Sequence, residues 1–137
     1  MVYHSYSKTS KQSSKLDPIR ILIVDDQKVV RAKLQDILDN QPRINLIAAV
    51  NDGEEAISAV EKYQPDVVLM DIEMPKMNGI EAVKIITQRF SEVKTLILTT
   101  HEKKEYIQKI INTGADGYIL KQAPAWEHPT FAVSKNA

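Results

Sequence analysis

The chain has 137 residues, 43% of them hydrophobic, so there is room for one domain with a single core. Its 18 basic and 18 acidic residues cancel, so no overall field draws it to nucleic acid or an anionic membrane. The absence of cysteine excludes disulfides, thiolate metal sites and a cysteine nucleophile. No apolar stretch approaches the roughly 20 residues that span a bilayer, and the N-terminus lacks a signal-peptide core, so we expect a cytoplasmic protein.

Short apolar runs alternate with helical patterns from Pro18 onward, whereas residues 1–17 show neither period and predict a flexible arm. Runs this rich in valine and isoleucine predict parallel strands that are buried on both faces of a sheet. In chain order, the predicted elements are a strand at Ile19–Val24, a helix ending near residues 40–42, a strand at Ile44–Val50, a helix ending at 64–65, a strand at Val67–Met70, a loop at 74–79, a helix at Ile80–Phe90, a strand at Lys94–Leu98, a helix at Lys103–Asn112 and a strand at Gly117–Leu120.

Each predicted helix carries an apolar face at helical spacing, which indicates packing against the sheet. Right-handed crossovers between the strands then give a doubly wound α/β sheet in residues 18–122. Gly114 suits a left-handed cap after the fourth helix. The residues expected to face the sheet are Val30, Leu34, Ile37 and Leu38 in the first helix, Ala56, Val60 and Tyr63 in the second, Val83, Ile86 and Phe90 in the third, and Ile107, Ile110 and Ile111 in the fourth.

Five polar residues follow the predicted strands directly: Asp25, Asp26, Asp71, Thr99 and Lys121. Ligands of open parallel sheets bind outside the carboxyl ends of the strands, so we expect these side chains to converge on one pocket. Three carboxylates in one pocket repel one another unless a cation neutralises them or one is protonated. Oxygen ligands favour Mg²⁺, and the lysine and the hydroxyl suit a phosphoryl group.

Four motifs stand in a characteristic order and spacing: Val24–Asp26, Met70–Gly79, Leu98–His101 and Gly114–Lys121. Together they resemble the receiver domain of two-component response regulators, of the branch usually attached to a helix-turn-helix DNA-binding domain. The resemblance covers residues 19–122 and implies a five-stranded parallel sheet in the flavodoxin-like order 2-1-3-4-5.

The resemblance also assigns roles to the polar residues. It implies that Asp71 accepts the phosphoryl group and that Lys121 pairs with a phosphoryl oxygen and with Asp71. Asp26, Asp71 and the main-chain carbonyl of Glu73 would hold Mg²⁺ directly, and Asp25 would act mainly through water.

Further residues would carry the switch and tune the lifetime of the phosphate. The resemblance implies that the Thr99 hydroxyl moves toward the phosphoryl group while the Tyr118 ring turns inward. By the same resemblance, Glu73, Thr100 and His101 occupy positions that in this family tend to tune phosphate lifetime or access. Tyr118 as an ordinary half-buried aromatic and His101 as a solvated loop residue remain open alternatives.

The end of the chain departs from the family pattern. Gln122 stands where the family usually has proline, and Pro124 and Pro129 interrupt any helix that follows, so we expect the fifth helix to be altered or missing. Residues 123–137 form an atypical tail, of native or tag-derived origin. An apolar sheet face left by a missing helix would be covered by this tail, covered by a second subunit, or left exposed by truncation of a longer regulator.

The sequence therefore predicts a Mg²⁺-dependent phosphoacceptor domain, phosphorylated by a histidine kinase or a phosphotransfer protein. It would catalyse only its own phosphorylation and dephosphorylation, and would bind neither nucleic acid nor a membrane directly; homodimerisation is left open. One alternative is an interaction module of the same shape that works without phosphorylation. Another is an aspartyl phosphohydrolase, although Glu73 stands where such enzymes usually have a second aspartate.

Overall fold

A computed structural model of the chain describes residues 17–72, 79–99, 104–120 and 132–133. Strands and helices alternate along it as predicted, with boundaries within one or two residues of those expected. The elements are β1 (Ile19–Val24), α1 (Lys28–Asp39), β2 (Ile44–Val50), α2 (Gly53–Tyr63), β3 (Val67–Asp71), α3 (Gly79–Arg89), β4 (Lys94–Thr99), α4 (Lys104–Ile111), β5 (Gly117–Leu120) and β6 (Ala132–Val133).

The first five strands form a parallel sheet in the order β2-β1-β3-β4-β5, which confirms the predicted flavodoxin-like architecture. β6 adds to the edge of this sheet by antiparallel pairing with β5, and it was not predicted. A two-residue strand is too short to show an apolar period, so sequence patterning could not find it. The predicted disruption of a fifth helix falls on residues 121–131, which lie outside the described residues.

The core lies on both faces of the sheet, as expected for strands that helices cover on two sides. α2, α3 and α4 pack on one face, with Val60, Val83 and Ile110 among their buried residues, and α1 packs on the other through Leu34 and Leu38. On the α1 side, the β4 and β5 residues Leu96, Leu98 and Ile119 are 0–3% exposed.

Two predicted core residues are exposed instead. Tyr63, at the last position of α2, is 38% exposed, and its ring lies under the Lys62 ammonium at 5.1 Å. Ile111 is 42% exposed, whereas Ile110 is 1% exposed. Both isoleucines fit the apolar spacing of a helix, but Ile111 is the last residue of α4. In both cases the prediction was wrong because the helix ends before a further turn can pack.

Matching aspartate contacts tie the amino ends of neighbouring strands together. Asp66 precedes β3 and accepts the Arg20 N–H of β1 at 2.8 Å, while its own N–H donates to the Arg20 carbonyl at 2.8 Å. Asp116 precedes β5 and makes the same pair of contacts with Thr95 of β4, at 2.9 and 2.8 Å. The strands are therefore fixed in register at the end of the sheet opposite the polar cluster.

None of the helices in the described segments is long and apolar enough to cross a membrane.

Candidate functional site

The carboxyl ends of three neighbouring strands bring the predicted polar residues to one edge of the sheet. Asp25 follows the last residue of β1, and Asp71 and Thr99 are themselves the last residues of β3 and β4. The register pairs Val24 with Met70 and Asp71 with Leu98, so the three strands end at nearly the same level. Convergence of these side chains follows directly from parallel pairing.

Asp25, Asp26 and Asp71 form a cluster in which each residue offers one carboxylate oxygen, and these oxygens all lie within 4.8 Å of one another. Asp25 is 0% exposed and Asp71 4% exposed, whereas Asp26 faces solvent. Two unit charges about 4 Å apart near a protein surface repel by roughly 4 kcal/mol. Two buried carboxylates and an exposed third therefore make a candidate cation site that is open to solvent at Asp26.

The loop that carries Asp25 is held in place by contacts on several sides. The Asp25 N–H donates to the Val50 carbonyl at 3.1 Å, and one carboxylate oxygen of Asp25 accepts the Gln27 N–H at 2.9 Å. Arg31, one turn into α1, donates from its guanidinium to the main-chain carbonyl of Asp25 at 2.7 Å. Sequence reasoning missed Arg31, because a basic residue on an amphipathic helix carries no signal that distinguishes it from a solvated one.

Thr99 and Tyr118 lie on the same face of two neighbouring strands. Tyr118 of β5 pairs with Ile97, and Thr99 lies two residues further along β4, so it points to the side on which Ile97 and Tyr118 pack. Thr99 is 1% exposed and Tyr118 is half-buried. Movement of the Thr99 hydroxyl would therefore change space on the face where the tyrosine ring lies.

Four of the predicted site residues lie outside the described residues: Glu73, Thr100, His101 and Lys121. Their assigned roles stay predictions. The structure brings together the three aspartates and ends the neighbouring strand β4 at Thr99.

The donor chemistry of the cluster fits Mg²⁺. Its ligands are carboxylate oxygens only, and the chain has no cysteine that would favour a softer metal. Mg²⁺ usually binds one or two carboxylates and completes its shell with waters, which the exposed side of the cluster at Asp26 permits.

The response regulator receiver domain family matches residues 21–127, and the chain belongs to this family of two-component signalling domains. It is similar to the transcriptional regulatory protein DegU of Brevibacillus brevis, with 45% identity over 107 residues that make up 78% of this chain and 45% of DegU. The chain spans about half the length of the curated relatives it matches.

Solved structures agree with this assignment. The response regulator domain of Thermotoga maritima CheB superimposes with a TM-score of 0.73 at 33% identity, covering 80% of this chain and 86% of that domain. The CheX–CheY–BeF3–Mg²⁺ complex of Borrelia burgdorferi matches with a TM-score of 0.72 at 27% identity, covering 81% of this chain and 84% of the matched one.

Proposed function

We propose that the chain is a phosphoacceptor domain in which Asp71 receives a phosphoryl group in a Mg²⁺-dependent reaction. The observation that carries this proposal is the cluster of three carboxylates within 4.8 Å at the carboxyl ends of β1 and β3. A receiver-shaped interaction module without phosphate chemistry would gain nothing from this repulsion, because two of these carboxylates are buried together.

Asp25, Asp26 and Asp71 would hold the metal, together with the main-chain carbonyl of Glu73. When bound, Mg²⁺ supplies positive charge that offsets the carboxylates and the phosphoryl oxygens as they approach one another. The Borrelia CheY complex, which contains Mg²⁺ and BeF3, supports the same pairing of a metal with a phosphoryl-like group in this chain.

The reaction is an exchange of one bond to phosphorus. A carboxylate oxygen of Asp71 attacks the phosphorus of a phosphohistidine on a partner, so an O–P bond forms as the N–P bond breaks. The electron pair of the broken bond stays on the imidazole nitrogen, and the product is an aspartyl phosphate. Lys121 would balance charge on the phosphoryl oxygens, and Glu73, Thr100 and His101 would tune how fast water removes the group.

Phosphorylation would then switch an interaction surface through Thr99 and Tyr118. The Thr99 hydroxyl would donate to a phosphoryl oxygen, and the space it leaves would admit the half-buried Tyr118 ring from the neighbouring strand. Two packings of this kind differ in population once one site gains charge.

The partner that supplies the phosphoryl group would be a sensor histidine kinase or a phosphotransfer protein in the cytoplasm. Because DegU is a transcriptional regulator, the domain would serve transcription regulation where it forms part of a longer regulator. Two copies of the domain would also pair through the surface that phosphorylation switches.

Intact-mass measurement after incubation with acetyl phosphate and Mg²⁺ tests the proposal. We expect a gain of one phosphoryl group that EDTA abolishes and that Asp71→Asn removes. Asp36→Asn is the matched control, because this exposed aspartate on α1 lies outside the cluster and should leave the gain intact. A folded chain that gains no mass under any condition would favour the phosphorylation-independent module, and turnover of small phosphate esters would favour the phosphohydrolase.

A further inference from the structure

A glycine at the first position of α3 lies against the main chain of Asp71. Gly79 is buried, and its N–H donates to the Ile72 carbonyl at 3.0 Å. A Cβ built at Gly79 would lie 2.9 Å from the carbonyl carbon of Asp71, and nearer still to the Asp71 carbonyl oxygen and the Cα of Ile72. Nonbonded carbon atoms normally stay about 3.5–4.0 Å apart, so no side chain fits here.

Space, rather than backbone conformation, is the reason for a glycine at this position. Among the described glycines, Gly114 has the left-handed conformation that other residues avoid, with φ at +92°, and Gly79 does not. The atoms it approaches belong to the backbone, so no flexible side chain can turn away to make room.

If a side chain were introduced at Gly79, the Asp71–Ile72 peptide would have to move to make room for it. β3 is paired on both sides, with β1 and with β4, and all five of its residues are buried, so the strand cannot retreat. α3 is held by Ala82, Val83 and Ile86, each of them 0% exposed in the core. The strand end between these two fixed bodies is the part that would shift.

A shift of this peptide would move the Asp71 carboxylate relative to its partners in the cluster. Asp25 is fixed separately, through the Val50 carbonyl and the Arg31 guanidinium, and would not follow. Mg²⁺ needs near-ideal octahedral geometry at about 2.0–2.1 Å, so its affinity is sensitive to displacements of a few tenths of an ångström.

We propose that Gly79 is the positioning residue for Asp71: its missing Cβ lets α3 seat directly on the strand end and sets where the Asp71 carboxylate stands relative to Asp25 and Asp26. This inference rests on the function proposed for the same site. It adds a residue that touches neither the metal nor the phosphoryl group.

The test compares Gly79→Ala with Gly114→Ala in the full chain. The control introduces the same methyl group at a left-handed position, where its three nearest neighbours are atoms of the Thr87 side chain at 3.5–3.8 Å, so it should lower stability without touching the cluster. Mg²⁺ affinity is measured by calorimetry below the melting temperature of both variants, and the phosphorylation rate by intact mass. We expect Gly79→Ala to weaken Mg²⁺ binding roughly 10- to 100-fold, as the loss of orienting contacts does at metal sites, and Gly114→Ala to leave it unchanged.

Equal Mg²⁺ affinities for wild type, Gly79→Ala and Gly114→Ala would overturn the proposal, since Gly79 would then contribute only to stability. If the wild type binds Mg²⁺ but gains no phosphoryl group, the proposed function fails, and the affinity comparison still decides the role of Gly79. If the wild type binds no Mg²⁺, the ¹³C resonance of the Asp71 carboxyl decides: a shift in Gly79→Ala alone supports the proposal, and no shift overturns it.

Gly79→Ala is also measured at low temperature in trimethylamine N-oxide, which favours the folded state. A chain that stays unfolded even there would overturn the proposal, because Gly79 would then be required for the whole fold rather than for the placement of Asp71.

Discussion

Arg31 joins α1 to the loop that carries two of the three clustered aspartates. Its half-buried guanidinium donates to the Asp25 carbonyl at 2.7 Å, a short bond from a charged donor. The bond fixes the main chain of Asp25, so the direction of its carboxylate is set before any ligand arrives. Placement of this kind lowers the cost of ordering the site when a metal binds.

We predict that Arg31→Ala lowers both stability and Mg²⁺ affinity. Hydrogen bonds to charged groups contribute about 1.5–3 kcal/mol, and the half-exposed position of Arg31 places its loss near the lower end. Urea unfolding and calorimetric titration measure the two effects. Lys33→Ala, an exposed cation two residues along the same helix, is the control and should change neither; equal losses in both variants would contradict the account.

The aspartate cluster could be predicted from sequence because strand ends are local signals, whereas its supports could not. Arg31 and Gly79 act through one main-chain oxygen and one missing side chain. Neither feature leaves a pattern in a single sequence, because both depend on where α1 and α3 come to lie.

At the scale of elements, the sequence predicted where α2 ends but not the conformation of the residue that caps it. Gln64 adopts the left-handed conformation, with φ at 50°, and its N–H caps the helix by donating to the Val60 carbonyl at 2.9 Å. Arg20 of β1 then donates to the main-chain carbonyls of Gln64 and Tyr63, at 2.6 and 2.8 Å. The end of α2 is therefore tied to the sheet through backbone atoms that any residue supplies.

Gln64→Gly should raise the free energy of unfolding by about 1 kcal/mol. A residue with a Cβ costs roughly 1–2 kcal/mol in the left-handed conformation, and glycine removes this cost but loses more conformational entropy on folding, which offsets part of the gain. Lys62→Gly, two residues earlier inside the helix, should lower it by about the same amount. Chemical denaturation measures both. A lower free energy of unfolding in Gln64→Gly would contradict this prediction, because the Gln64 side chain would then contribute more stability than the left-handed conformation costs.

Strand and helix positions followed from the sequence because buried parallel strands read as unbroken apolar runs. The burial of residues at helix ends did not follow from the sequence. Tyr63 and Ile111 fit the periodic pattern, yet they lie in last turns that have little left to pack against. β6 escaped prediction for a similar reason: two residues carry no period, and their place is set by pairing with Gly117 and Tyr118.

At the scale of the whole molecule, the two ends of the sheet have opposite characters. At the amino ends, the carboxylates of Asp66 and Asp116 accept hydrogen bonds from strand N–H groups, so they hold neighbouring strands together without bringing like charges close. Aspartates at the carboxyl ends lie together within 4.8 Å in a protein whose net charge is zero. The second arrangement brings like charges together, and we expect a bound cation to stabilise it.

Stability should therefore depend on Mg²⁺ through this cluster. A ligand at a hundredfold excess over its dissociation constant stabilises the folded state by about 2.7 kcal/mol. We predict that Asp26→Asn raises the melting temperature in EDTA, by removing one repelling charge, and sharply reduces the rise that Mg²⁺ produces. Asp36→Asn should do neither, and a Mg²⁺ response that survives Asp26→Asn unchanged would place the cation elsewhere.

Borohydride reduction followed by peptide sequencing tests directly whether Asp71 itself becomes the acyl phosphate. An aspartyl phosphate is reduced to homoserine, whereas a free aspartate is not. After incubation with acetyl phosphate and Mg²⁺, we predict homoserine at position 71, with aspartate intact at positions 25 and 26. Homoserine at either of those positions, or at none of the three in a chain that has gained mass, would contradict the account.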